Sequence, residues 1–430
     1  HIMTVFIFLF VALISYIAYF QVFKAPEITE KSTNPRLWIK RKEVLRGTID
    51  DRDGNPLTQG EKIDEYSQNR TYLEGDLYVH ALGYMNEEYG LTGLEEEYDN
   101  ELSKCSTIKN NFRSFLDSIK VKDFLKNVKN DFKDNRKLNL KGNLKTFKDG
   151  IDFKKLVDKP AQVGNWVVIT INKDLQRVAY DALGSSKGSV VAINPKTGEI
   201  LAMVSKPTYD PNNLKAAMET AHNGNPEDSP LINRAIDGLY PPGSVFKTVT
   251  MASALENIPD ITSRNFNDTG KITFDDGMTL NNYAFQAHGD IDLKYGYRVS
   301  SNVVFGTLAM ELGNEKLKET AEAFGFNSVV EGPGVTITAS RFPTLDSSEQ
   351  GNIAQSGIGQ GAVLSTPMQM ALVAATVAND GIMMAPKLVN KVVDSEQNTV
   401  KNVDSKELKD VIKAEDAQTI KDYMKYLIDN

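Results

Sequence analysis

Tyr240-Pro-Pro-Gly-Ser-Val-Phe-Lys-Thr-Val-Thr-Met-Ala-Ser-Ala-Leu-Glu-Asn257 sets two prolines and a glycine directly before an apolar run at Val245, Phe246, Val249, Ala252 and Leu255. That spacing lines one face of a helix, so a helix is expected to begin near Ser244. Ser244 and Lys247 then share a face, with the lysine amine expected within hydrogen-bond reach of the hydroxyl. A serine hydroxyl is nearly inert until a base takes its proton. A buried lysine can be neutral enough to serve, and the helix N-terminus favours a developing oxyanion. The spacing alone is weak: Ser106 and Lys109 repeat it in a polar segment without a helix-start signal at the serine.

Further along, SSNVVFGTLAMELG (300–313) places Ser300 and Asn302 before an amphipathic helix ended by Gly313. Ser-x-Asn also occurs at Ser32, Ser67 and Ser263, and its bland reading is an N-cap serine with a turn asparagine. Upstream, WVVITI (166–171) reads as a strand, DLQRVAYDAL as a helix ended by Gly184, GSVVAINP as a strand, Lys196-Thr197-Gly198 as a turn, and EILAMVS as the returning strand. Helical patterns are expected to dominate 231–325 and 366–380. Without regular alternation of strand and helix, the class expected is α+β rather than parallel α/β.

A chain of 430 residues is too long for one ordinary core, and 41% hydrophobic with 25% charged residues is ordinary for a folded protein. The net charge of −8 is uneven: residues 104–159 hold 16 Lys+Arg against 7 Asp and no Glu. Such a segment suits anionic lipid or wall polymer, or simply solvated helix faces. Apolar residues from 110 to 132 fall at helical spacing, and the domain boundary is placed near Gly164. One cysteine, Cys105, allows no internal disulfide, and four scattered histidines (His1, His80, His222, His288) support no metal site. No cofactor is expected, and nothing resembles a nucleic-acid module.

Residues 3–23 carry no charge and are mostly aliphatic or aromatic, enough to span a bilayer core. The stretch ends Tyr-Phe-Gln-Val-Phe without small residues at a cleavage site, which favours a retained single-pass anchor over a cleaved signal. No Lys or Arg precedes it, so its flanks do not orient it.

The order of these features is more telling than any one of them. A hairpin, Tyr-Pro-Pro-Gly-Ser-x-x-Lys, Ser-x-Asn, then Gly359-Gln360-Gly361 and Thr366-Pro-x-Gln-Met370 resembles the layout of class B (monofunctional) penicillin-binding proteins. RGTIDDRDGNPLT (46–58) looks like the opening of their pedestal domain and GLEEEYDNEL (93–102) like a later pedestal element. INPKTGEILAMVSKPTYDPN (193–212) and AQSGIGQGAVLSTPMQMALVAATVANDGIMMAPKLV (354–389) look like parts of the catalytic domain. The resemblance implies an anchor at 1–23, a pedestal at 24–164 with a Lys-rich insert at about 104–160, and a transpeptidase domain at 165–430 built on a mixed antiparallel sheet with helices.

By position, the resemblance makes Ser244 the acylated nucleophile, whose backbone N–H is half an oxyanion hole, and Lys247 its base. Ser300 becomes the proton relay to the leaving amine, and Asn302 the partner of the substrate's amide. The implied reaction is D-Ala-D-Ala transpeptidation of peptidoglycan stem peptides outside the membrane, with β-lactams trapped as acyl adducts and a polytopic SEDS-type glycosyltransferase as partner. The family's Lys-Thr/Ser-Gly after Ser-x-Asn is not found; Lys196-Thr197-Gly198 precedes the nucleophile and matches a hairpin turn. The expectation is therefore of a domain lacking its last strands, through a shortened sequence or a truncated product. A catalytically impaired scaffold subunit is the alternative. A β-lactamase is disfavoured by the pedestal-like region, and a protease-coupled β-lactam sensor by the lack of His-Glu-x-x-His.

Overall fold

The computed structural model describes residues 44–64, 67–104, 163–275 and 277–429, together with positions 13, 16, 38 and 41. The expected anchor, the helix expected at 110–132 and the Lys-rich segment lie outside the described residues, apart from positions 13 and 16 and Lys104. Among the described residues no helix is long and apolar enough to cross a membrane.

The architecture is mixed α+β. Ile49–Asp50 runs parallel to Trp166–Ile169, which pairs antiparallel with Val389–Val393, and that strand pairs in turn with Thr399–Asn402. One apolar core joins Ile49, Leu77, Leu94 and Leu102 to Val167, Ile200, Met203, Val335, Leu388 and Val389. The described N-terminal segments thus bury their apolar faces against the rest of the chain.

Two charged motifs in that region prove to be one assembly. Arg46 Nε meets Glu95 Oε2 at 2.6 Å, Arg70 Nε meets Glu95 Oε1 at 2.7 Å, and Arg46 also reaches Asp99 at 2.6 Å. Burial alone would raise the Glu95 carboxyl, but the Arg70 and Arg46 guanidiniums hold it below the ordinary carboxylate value. The neighbouring Gly47 packs against residues 164 and 165, where a Cβ would lie 1.9 Å from the Asn165 carbonyl oxygen.

The expected hairpin forms from Gly188–Ile193 and Ile200–Lys206, with Val190 opposite Val204. Its turn is Lys196-Thr197-Gly198, where Gly198 has φ 74° and a Cβ would meet the Ala385 carbonyl at 2.0 Å. The expected helix becomes α1 (Lys173–Leu183), capped by Asn172.

Five further helices build the second core: α2 (Lys247–Asn257), α3 (Asn302–Ala323), α4 (Gln350–Gly357), α5 (Pro367–Ala378) and α6 (Ala414–Asp429). Every α2 residue from Lys247 to Ala254 is buried, so its polar groups must find partners inside. Thr250 Oγ1 donates to the Gly357 carbonyl at 2.6 Å, and Ser253 Oγ to that of Lys316. In α3 the helical geometry breaks at Gly313 (φ 72°, ψ 167°), where the sequence predicts a stop.

The expectation of dominant helix from 231 to 325 fails over 265–292. Asn265–Asp268 pairs with Gly289–Asp292, and Lys271–Thr273 pairs with Thr279–Asn281. Asn265 to Asp268 alternates exposed and buried, as a strand should, but the second buried position is an aspartate, so the apolar rhythm is invisible in the sequence.

Candidate active site

Ser244 lies in a 3-10 turn, Gly243–Phe246, that runs directly into α2. Gly243 takes φ 61° and its N–H donates to the Gly359 carbonyl at 2.8 Å. Gly359 in turn (φ 70°) has no room for a side chain, because a Cβ would stand 2.3 Å from the Gly243 oxygen. The glycines of the Tyr-Pro-Pro-Gly and Gly-Gln-Gly motifs are thus two halves of one backbone contact that fixes the turn. Phe246 anchors it from beneath, edge-on to Phe326 at 5.4 Å and stacked on Phe342 at 5.7 Å.

Lys247 is 1% exposed. Its amine donates to the Ser300 carbonyl at 2.7 Å, to Asn302 Oδ1 at 2.8 Å and to Ser300 Oγ at 3.0 Å. All three acceptors are neutral. Desolvation without a compensating carboxylate pulls the ammonium down from the ordinary lysine value to about 7. The direct Lys247 to Ser244 bond expected from the three-residue spacing is not made; Ser300 Oγ stands between them and donates to Ser244 Oγ at 2.9 Å. The chain is therefore Ser244, Ser300, Lys247.

Ser300 has φ 54°, a left-handed conformation uncommon for serine. The N-cap of α3 is the next residue, Ser301, whose side chain accepts from the Val304 N–H. Ser300 is thereby released from the capping role and turned onto the lysine. Asn302 is engaged at both ends, with Nδ2 donating to the Asn281 carbonyl at 2.6 Å. Ser67 and Ser263, the other described serines of Ser-x-Asn matches, lie on the strand Ser67–Tyr72 and in a 3-10 turn and reach none of these groups.

A groove of about 370 Å³ opens over Ser244, Lys247 and Ser300, with Tyr297, Met370, Val373 and Leu427 among its walls. The larger cleft, about 910 Å³, is lined by His80, Glu97, Asp237 and Arg341 and contains neither Ser244 nor Lys247. The serine, the lysine and the bridging serine all line the smaller one. Sequence reasoning missed Tyr297, which shares a 3.0 Å hydrogen bond with Thr248, and the group formed by buried Asp268 and Asn282 with half-buried His288 behind α3. No local sequence signal marks the latter, because Asp268 stands where a strand would bury an aliphatic side chain.

A serine at a helix tip, a buried lysine with no counter-ion among the described residues and a second serine bridging them are the parts that serine acyl transfer requires. The penicillin binding protein transpeptidase domain matches residues 188–426, and the penicillin binding protein A dimerisation domain matches 46–123. The chain belongs to the penicillin-binding protein transpeptidase family. It is 36% identical over 275 residues to the peptidoglycan D,D-transpeptidase PbpA of Mycolicibacterium smegmatis, covering 61% of this chain and 56% of that protein. The peptidoglycan D,D-transpeptidase MrdA of Escherichia coli K12 is 28% identical over 259 residues, 55% of this chain and 39% of that one. The chain thus spans about half the length, or less, of these curated relatives. Penicillin-binding protein A from M. tuberculosis, solved as its penicillin G acyl-enzyme complex, superposes with a TM-score of 0.73 at 26% identity, covering 90% of this chain and 82% of that one.

Proposed function

We propose that this chain carries the acylating centre of a peptidoglycan D,D-transpeptidase, with Ser244 as nucleophile. The observation that carries the reading is the unpaired, buried Lys247 joined to Ser244 through Ser300. Ser244 Oγ attacks the carbonyl carbon of the penultimate D-Ala in a stem peptide. Its proton passes to Ser300 Oγ as the Ser300 proton passes to the Lys247 amine, for which both hydroxyls need only rotate. The tetrahedral intermediate collapses by breaking the C–N bond, and the departing D-Ala amine takes a proton back along the same path. An amine of a second stem then attacks the ester carbonyl, forms the new amide and restores the Ser244 hydroxyl. The oxyanion lies near the N-terminal end of α2, where the Ser244 N–H is one donor.

The acyl-enzyme complex of the M. tuberculosis relative supports β-lactams as ligands, since a β-lactam carbonyl offers the same electrophile to the same serine. The apolar, uncharged residues 3–23 support a single-pass membrane anchor, with the catalytic domain on the extracytoplasmic side where peptidoglycan lies. The match at 46–123 to a penicillin binding protein A dimerisation domain supports a protein-contact role for the N-terminal region, and a SEDS-type glycosyltransferase is the partner we propose for it. Labelling with a fluorescent penicillin tests the centre: one adduct, mapped to Ser244 and absent from Ser244→Ala, is expected. A wild-type protein that takes no label would replace this reading with that of a catalytically impaired scaffold.

A further inference from the structure

Acyl transfer uses Ser244, Lys247, Ser300 and Asn302 but leaves a fully buried carboxylate behind them without a role. Asp268 is 0% exposed. It accepts hydrogen bonds from the Gly270 N–H at 2.9 Å, His288 Nδ1 at 2.7 Å, Ser301 Oγ at 2.8 Å and Asn282 Nδ2 at 2.8 and 2.9 Å. Burial would raise the Asp268 carboxyl, but these donors, the Gly270 N–H first, hold it below its ordinary value, so it is an anion. His288 therefore carries a proton on Nδ1, the nitrogen that faces this anion.

Two of these partners also hold the first turn of α3. Asn282 Oδ1 accepts from the Asn302 N–H at 2.7 Å and the Val303 N–H at 3.1 Å, while Ser301 Oγ accepts from the Val304 N–H at 3.0 Å. Three N–H groups that would otherwise lack partners at the helix start are thereby tied, through one residue each, to the same carboxylate. Ser301 sits between Ser300 and Asn302, and Ser300 is the residue held at φ 54°.

Building on the acyl-transfer reading, we propose that Asp268 is a positioning residue that fixes the Ser300–Asn302 turn through Ser301 and Asn282. Released from it, Ser300 relaxes from the left-handed region, and its carbonyl, its hydroxyl and Asn302 Oδ1 drift off the Lys247 amine. Water then reaches the amine. The relay is misaligned, and the pH at which the base is freed moves up towards that of an ordinary lysine.

The test follows Ser244 acylation by a fluorescent penicillin across pH in the full chain and in Asp268→Asn, His288→Ala and His288→Asn, with thermal unfolding recorded for each. Asp268→Asn presents an amide to donors that need a carboxylate. It should acylate more than about 30-fold slower at neutral pH, with its midpoint raised by about one unit, as expected for a reacting group displaced by a fraction of an ångström. His288→Ala should lose about fivefold to tenfold, and His288→Asn, whose amide can replace the Nδ1 donor, should recover to within about threefold. That pair decides the matter even if Asp268→Asn does not fold. An unmoved or lowered midpoint with a loss matching the unfolded fraction, or His288→Asn no better than His288→Ala, overturns the proposal. Failure of the wild type to label at Ser244 overturns the underlying reading, whereas a labelled wild type with normal Asp268→Asn kinetics overturns the positioning role alone.

Discussion

Two buried cations in this molecule meet opposite partners. Arg46 is enclosed by the carboxylates of Glu95 and Asp99, so its charge is matched where it lies. Lys247 is equally enclosed, but its hydrogen-bond acceptors among the described residues are a carbonyl, a hydroxyl and an amide oxygen. Burial costs a cation several kcal/mol either way. Opposite charge compensates that cost and leaves a rigid strut. Neutral acceptors compensate it only in part, and the remainder appears as a lysine that releases its proton near neutrality. On the proposed mechanism, the choice of partner makes one cation structural and the other a base.

Substitution of the base should have the largest effect. Lys247→Ala should slow Ser244 acylation by about 10³-fold, within the range for loss of a general base, measured by stopped-flow or timed gel labelling. Lys247→Arg keeps the charge but cannot release a proton, so it should be nearly as slow; a mild loss would mean that the lysine acts only as a fixed charge. Glu95→Gln breaks the strut instead. It takes the 2.7 Å carboxylate partner from buried Arg70 and leaves Arg46 with Asp99, and should cost about 3–5 kcal/mol of stability. The acylation rate per folded molecule should hardly change; a large kinetic effect would erase the distinction between the two clusters. Chemical unfolding combined with labelling reads both quantities.

The pH dependence of stability separates them again. The Glu95 carboxyl is held below its ordinary value, so its contribution is complete above the ordinary carboxylate range and is lost as pH falls through the folded-state value. Lys247 behaves in the opposite sense. Its folded value of about 7 lies below that of an unfolded lysine, so the folded state binds fewer protons in between and gains stability as pH rises from about 7 to about 10. Lys247→Met should therefore compare best with wild type at pH 6 and progressively worse towards pH 10 in thermal unfolding. The smallest effect is expected at the α5 cap, where Thr366 accepts from the Gln369 N–H: Thr366→Ala should cost about 1 kcal/mol and leave acylation unchanged.

What was legible in the sequence was what local spacing determines. The turn before Ser244, the helix after Ser301, the 188–206 hairpin and the break at Gly313 all follow from residues within a few positions of each other. The pairing of Arg46 with Glu95 spans 49 residues and joins two motifs that each look like an ordinary surface segment. Ser300 was implied by the family resemblance, but its place between Ser244 and Lys247 was not legible, because a left-handed serine cannot be foreseen from its neighbours and a three-residue spacing suggests direct contact. The strands between 265 and 292 were masked by Asp268 itself, a charge at a position where a strand would normally bury an aliphatic side chain.

The central claim is that Lys247 is freed as a base near neutrality by its enclosure. The second-order rate of Ser244 acylation by benzylpenicillin, followed from pH 5 to 10 with the adduct mapped by peptide mass, tests it most directly. The account predicts a rise governed by one group with a midpoint near 7 and all label on Ser244. A rate still climbing near pH 10, as for an ordinary lysine, or label on any other residue, would contradict it.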